Sequence, residues 1–177
     1  QLGLGLSPLA AGVYPLAFAL LAAFGYIPLG VLLQPARGRL YAPVFGIGYV
    51  VSVYAVLISQ PQTFLGLLEA GLDALPWVGV LAPLVTLGVV MYSAWHFGQK
   101  AWARLVFGWA APLVFVVGFL RALDWLSVPE VYQPAWIIGL ALGYLLVERG
   151  LALPQVMRPP WLSAFRLPLG VSGVILA

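Results

Sequence analysis

The sequence predicts an all-α integral membrane protein: a bundle of about six transmembrane helices, the sixth cut short. Two observations carry that prediction. Charged residues make up 7% of the 177-residue chain and apolar residues 63%, where a soluble domain carries ~25% charged residues; the mean hydropathy is +1.05. The apolar residues also gather into long stretches at 9–33, 40–59, 76–98, 101–120 and 131–147, with a sixth starting near Leu167. At 1.5 Å per residue the first four can cross ~30 Å of hydrocarbon and the fifth is marginal. A soluble fold of this size could not hide so much apolar surface. Lipid is the expected solvent, and 1–177 reads as a single transmembrane domain.

The first stretch carries Pro15 and Pro28 around a small-residue run, Ala19-Leu20-Leu21-Ala22-Ala23, that suits close helix packing. Arg37 and Arg39 follow it. The second opens at Tyr41, with Pro43, Gly46 and Gly48 in its first turns. The third carries His96 at its inner end. Lys100 and Arg104 mark the junction to the fourth, and Arg149, Arg158 and Arg166 follow the fifth. These three basic regions hold seven of the eight basic residues and fall on one side of the membrane. The alternate loops hold Glu69 and Asp73, then Arg121, Asp124 and Glu130, which places four of the five acids on the other side. The positive-inside rule therefore predicts a cell (inner) membrane protein with its N-terminus outside and its basic loops cytoplasmic. Trp77 and Trp125 flank the outer loops, and Trp95, Trp102 and Trp161 the inner ones, as amphipathic rings at the headgroups should.

Residues 61–75 are too short and too charged to span. Phe64, Leu65, Leu68, Leu72 and Leu75 recur at helical spacing, with Glu69 and Asp73 on the opposite face. The pattern predicts one interfacial amphipathic helix.

Three proline-anchored matches recur in order. Pro15-Leu16-Ala17-Phe18 pairs with Pro112-Leu113-Val114-Phe115. Tyr41-Ala42-Pro43-Val44-Phe45-Gly46-Ile47-Gly48 pairs with Tyr132-Gln133-Pro134-Ala135-Trp136-Ile137-Ile138-Gly139. Pro83-Leu84 and Gly88-Val89 pair with Pro168-Leu169 and Gly173-Val174. The charge pattern gives the two halves, 9–98 and 101–177, opposite orientations. The expectation is a 3+3 inverted-topology repeat, a plan found in many transporters with a site near the midplane. The chain begins at Gln1 and ends at Ala177 within an apolar segment, so the expectation is also that the gene product is longer. A repeat-equivalent partner for the His96 region would then fall near position 181.

The absence of cysteine excludes disulfides, thiol catalysis, Fe–S clusters and cysteine-based zinc sites. The sequence pI near 9.5 rests on scattered residues that set topology, so no nucleic-acid partner is expected. His96, the single histidine, could give one axial ligand to a haem or chlorin, or a hydrogen bond to a quinone; one histidine cannot build a bis-His haem or a histidine-cluster metal site. No Asp, Glu, Lys or Arg falls in mid-span, which argues against a proton relay. His96, Tyr92, Ser93, Thr86 and Ser52 are the candidate ligand-binding residues, a modestly polar set suited to a weakly polar or lipid-like ligand. No motif implies a cofactor, and no nucleophile–base set points to catalytic residues. Gly170-Val171-Ser172-Gly173 resembles the nucleophile motif of rhomboid intramembrane proteases, but that serine helix is followed by a histidine helix, and His96 precedes this motif. The sequence reading is a small transporter or channel-like protein for a weakly polar solute. Its alternatives are a non-catalytic subunit of a respiratory or photosynthetic membrane complex binding quinone, haem or pigment, and a lipid-modifying membrane enzyme. The expected partners are the lipid bilayer and either further copies of the chain or other membrane subunits.

Overall fold

A computed structural model of the chain describes residues 8–36, 41–59, 76–152 and 160–177. The elements among them are all helical: α1 (Pro8–Leu20), a π-helical turn (Leu21–Tyr26), α2 (Ile27–Ala36), α3 (Tyr41–Ile58), α4 (Pro76–Phe97), α5 (Ala101–Trp125), α6 (Gln133–Ala152), a 3-10 turn (Pro160–Phe165) and α7 (Arg166–Leu176). Among the described residues, four stretches are long and apolar enough to cross a membrane: Val13–Gln34, Pro76–Phe97, Ala101–Trp125 and Gln133–Leu151. Ala42–Ile58 and Trp161–Leu176 are apolar but shorter. Large apolar side chains such as Phe24, Leu32, Val50, Leu113, Leu146 and Val174 point outward, as lipid-facing helix surfaces do. The expected amphipathic helix at 61–75, together with Arg37, Arg39 and Arg158, lies outside the described residues.

Two boundaries differ from the sequence expectation. The fourth stretch continues as helix to Trp125, so Arg121 and Asp124 are helical. They form an i,i+3 ion pair at 3.5 Å, and the guanidinium packs over Gly79 of α4; the ion pair lets the helix run on through both charges. The helix stops before Ser127, whose φ of 53° is the left-handed conformation that ends many helices. The last apolar stretch begins at the 3-10 turn from Pro160 and becomes α-helical at Arg166, just before Leu167.

The chain forms two compact units, Gln1–Val89 with Val117–Trp125, and Val90–Val116 with Leu126–Ala177. In the first unit, α1 and α2 make one interrupted span. Pro28 has no N–H to give to the carbonyl four residues back. The chain absorbs the mismatch just before it, where Ile27 N–H bonds to Ala22 O, five residues earlier, which is the bond of a π-turn. Helix α3 packs against this break. A Cβ on Gly48 would lie 3.0 Å from the Tyr26 Cβ, and one on Gly30 would lie 3.0 Å from the Phe45 ring, so at both contacts glycine permits the approach. Ala19, Ala55 and Ala82, from α1, α3 and α4, form a fully buried cluster flanked by Phe18 and Val85. Phe18 meets Tyr54 edge to face at 5.6 Å.

In the second unit, α4 turns into α5 through 98–100, where Lys100 N–H bonds to Phe97 O at 2.8 Å. Helices α6 and α7 run antiparallel: Gly173 packs on Leu145, Gly170 faces Glu148, and Arg166 Nε pairs with Glu148 Oε1 at 3.1 Å. Tyr144 O–H donates to the Pro112 carbonyl at 2.9 Å and its ring lies 6.2 Å from Phe115.

Candidate functional site

Of the sequence-predicted residues, Ser52 and Thr86 are brought together. They come from α3 and α4, both buried, one turn beyond the alanines Ala55 and Ala82 of the core cluster. The helix spacing thus stacks a hydroxyl layer on an alanine layer. Small side chains in the first layer let the backbones close up, and the hydroxyls of the second reach carbonyls. Ser52 Oγ donates to Gly48 O at 2.9 Å, and Thr86 Oγ1 donates to Ser52 O at a long 3.5 Å. Gly48, whose carbonyl accepts the hydrogen bond of the Ser52 hydroxyl, is the residue that seats Tyr26 and Ile27 at the π-turn. The π-turn, Gly48, Ser52 and Thr86 are therefore one contiguous series within the first unit. A hydroxyl that donates to a carbonyl keeps two lone pairs as acceptors, and a 3.5 Å bond is weak enough to exchange.

Ser93 lies two turns further along α4 and is fully buried, and belongs to the second unit. So do Tyr92 and His96, which stack nearly parallel at 5.9 Å and 9°. They start an aromatic ladder. Tyr92 reaches Trp95 at 5.7 Å, and His96 meets Phe97 edge-on at 4.7 Å. Phe97 reaches Trp102 at 6.0 Å, and Trp102 reaches Phe107 at 6.0 Å. Lys100 Nζ sits 5.5 Å above the Phe97 ring, a cation–π contact. Trp95 and Trp102 are exposed, which fits rings placed at a headgroup boundary. Among the described residues no group of three or more His, Cys, Asp or Glu could hold a metal ion.

Sequence reasoning singled out Ser52 and Thr86 but not their connection through Gly48 to the broken span. The signals were present separately: a small-residue patch at Gly46 and Gly48, and Pro28 inside a long apolar stretch. Their meeting depends on the register between α3 and the π-turn, which no local pattern encodes. The chain matches no protein family, no curated protein and no solved structure.

Proposed function

We propose that the chain is a small transporter or channel-like membrane protein for a weakly polar solute, with the Ser52–Thr86 layer as its contact. The observation that carries this reading is that two buried hydroxyl-bearing residues from different helices meet, Thr86 Oγ1 on the Ser52 carbonyl, one turn of helix away from the contact between Gly48 and the interrupted first span. Interrupted helices recur at substrate sites of transporters, and π-turns recur at functional sites. Neutral hydroxyls of this kind suit an uncharged partner, such as a polyol or an amide.

A repeat of 9–98 and 101–177 in opposite orientations is part of the same proposal. Its paired prolines share their environments. Pro15 and Pro112 are fully buried, Pro83 and Pro168 are buried, and Pro43 and Pro134 are exposed. The phenylalanine three residues after the first proline of each half packs on a tyrosine of the next span: Phe18 on Tyr54 and Phe115 on Tyr144.

Two measurements test it. Proteoliposomes are challenged with glycerol, urea and erythritol while stopped-flow light scattering follows reswelling. At least one solute should enter faster than into protein-free vesicles, and Ser52→Ala with Thr86→Val should slow it while the helical circular dichroism is kept. Rates equal to protein-free vesicles across the panel would sink the transport reading. The chain has no cysteine, so Ser7→Cys and Gln99→Cys each give a unique thiol. An impermeant maleimide should reach them from opposite sides of the membrane, and labelling from one side would remove the inverted orientation.

A second reading, a non-catalytic subunit holding a flat cofactor, is favoured by the parallel Tyr92–His96 stack and the exposed rings beside it. A visible absorption band in the purified protein that disappears in His96→Ala would support it.

A further inference from the structure

We infer that the second unit carries a binding groove for an anionic glycerophospholipid, with Arg104 as the contact to its phosphate. The groove has a volume of about 320 Å³ and is lined on one side by Ala101, Arg104, Leu105 and Trp109 of α5, and on the other by Ser163, Ala164, Leu167 and Pro168. The α5 residues recur at the spacing of one helix face. Gly108 lies between the two walls: a Cβ there would meet the Ala164 carbonyl oxygen at 2.6 Å and the Pro168 ring at 3.4 Å. The walls are therefore held close at the floor and stay open above it.

The chemistry of the lining selects the occupant. Apart from Arg104 and Ser163 the lining is apolar, with Leu105 and Leu167 exposed, which suits an acyl chain. Two described arginines, one lining the groove and one adjoining it, differ in their charge balance. Arg166, next to the lining residue Leu167, is already paired with Glu148. Arg104 is exposed and makes no ion pair among the described residues. Among the described residues the groove thus presents one uncompensated cation beside an apolar channel, which complements a lipid with a negative headgroup and fits a zwitterionic one less well. Basic pockets between membrane helices bind anionic lipids in this way, each basic residue contributing about 1 kcal/mol, which is about five-fold in occupancy.

Native mass spectrometry of the full chain, released from micelles containing equal phosphatidylglycerol and phosphatidylcholine, tests the inference. The wild-type chain should hold phosphatidylglycerol in about five-fold excess. Arg104→Gln should abolish that preference, whereas Arg149→Gln, an exposed arginine outside the groove, should preserve it. Ala101→Trp, which fills the groove without touching the charge, should lower the occupancy of both lipids. Equal retention of the two lipids by the wild type would overturn the inference. So would an unchanged preference in Arg104→Gln, or an equal loss in Arg149→Gln, which would mean diffuse surface charge. Inorganic phosphate at 100-fold excess should leave the bound lipid in place; displacement by it would mean a site for a free anion.

Discussion

The two units each contain a glycine four residues before a buried proline, and the two pairs behave differently. In α4, Gly79 precedes Pro83; in α5, Gly108 precedes Pro112. In both, the proline lacks the N–H that would bond to the glycine carbonyl, and the missing Cβ lets a neighbour close in. Over Gly79 the neighbour is the end of a side chain: a Cβ there would lie 2.8 Å from Arg121 Nε. Over Gly108 it is main chain, the Ala164 carbonyl oxygen at 2.6 Å. A guanidinium on a flexible stem can swing aside, whereas a carbonyl inside a 3-10 turn moves only with the turn. The same sequence device therefore makes an adaptable contact in the first unit and a rigid one in the second.

The largest expected effect tests the rigid contact. Gly108→Ala should destabilise the protein by about 2 kcal/mol, the overpacking cost of moving backbone less the modest helix-propensity gain. The loss should appear as a lowered midpoint in detergent thermal unfolding. Gly79→Ala should cost about 1 kcal/mol or less, because Arg121 can shift. Combined with Arg121→Met, it should show a coupling energy of about 1 kcal/mol in a double-mutant cycle. That coupling is expected because Arg121 Nε is buried without a hydrogen-bond partner among the described residues, so removing the guanidinium relieves the clash and the unpaired donor together. Equal costs for the two glycine substitutions would break the contrast between side-chain and main-chain neighbours. The smallest effect refines the picture around Pro112: Tyr144→Phe should cost about 0.6 kcal/mol, a typical value for a hydrogen bond within a membrane protein, since the Pro112 carbonyl loses its 2.9 Å donor.

Much of the helical plan was legible because it follows from one-dimensional patterns. The first span, 9–33, shows as a run of apolar residues, and its structural counterpart is Val13–Gln34. The third, 76–98, carries His96 at its inner end, and α4 closes at Phe97. The break inside the first span was legible only as two prolines; that the extra residue sits before Pro28 and not around Pro15 depends on the backbone bond from Ile27 to Ala22. The extension of α5 through Arg121 was missed for a related reason. An arginine beside an aspartate reads as a loop in a charge count, whereas in the structure the pair is an intrahelical contact lying on a glycine of the neighbouring helix. Of the five candidate ligand residues, two pairs were joined, Ser52 with Thr86 and Tyr92 with His96, and the pairs belong to different units.

By itself, the sequence determined that this chain is helical and suited to lipid, because apolar run length and the scarcity of charge are properties of composition along a line. It also determined where prolines deny the backbone a donor. What only the tertiary structure decided is which neighbour stands over each glycine and which carbonyl each hydroxyl reaches. Those outcomes depend on the register and approach of helices far apart in sequence, where a shift of one residue would turn Ser52 away from Thr86 and place a side chain where Gly48 admits Tyr26.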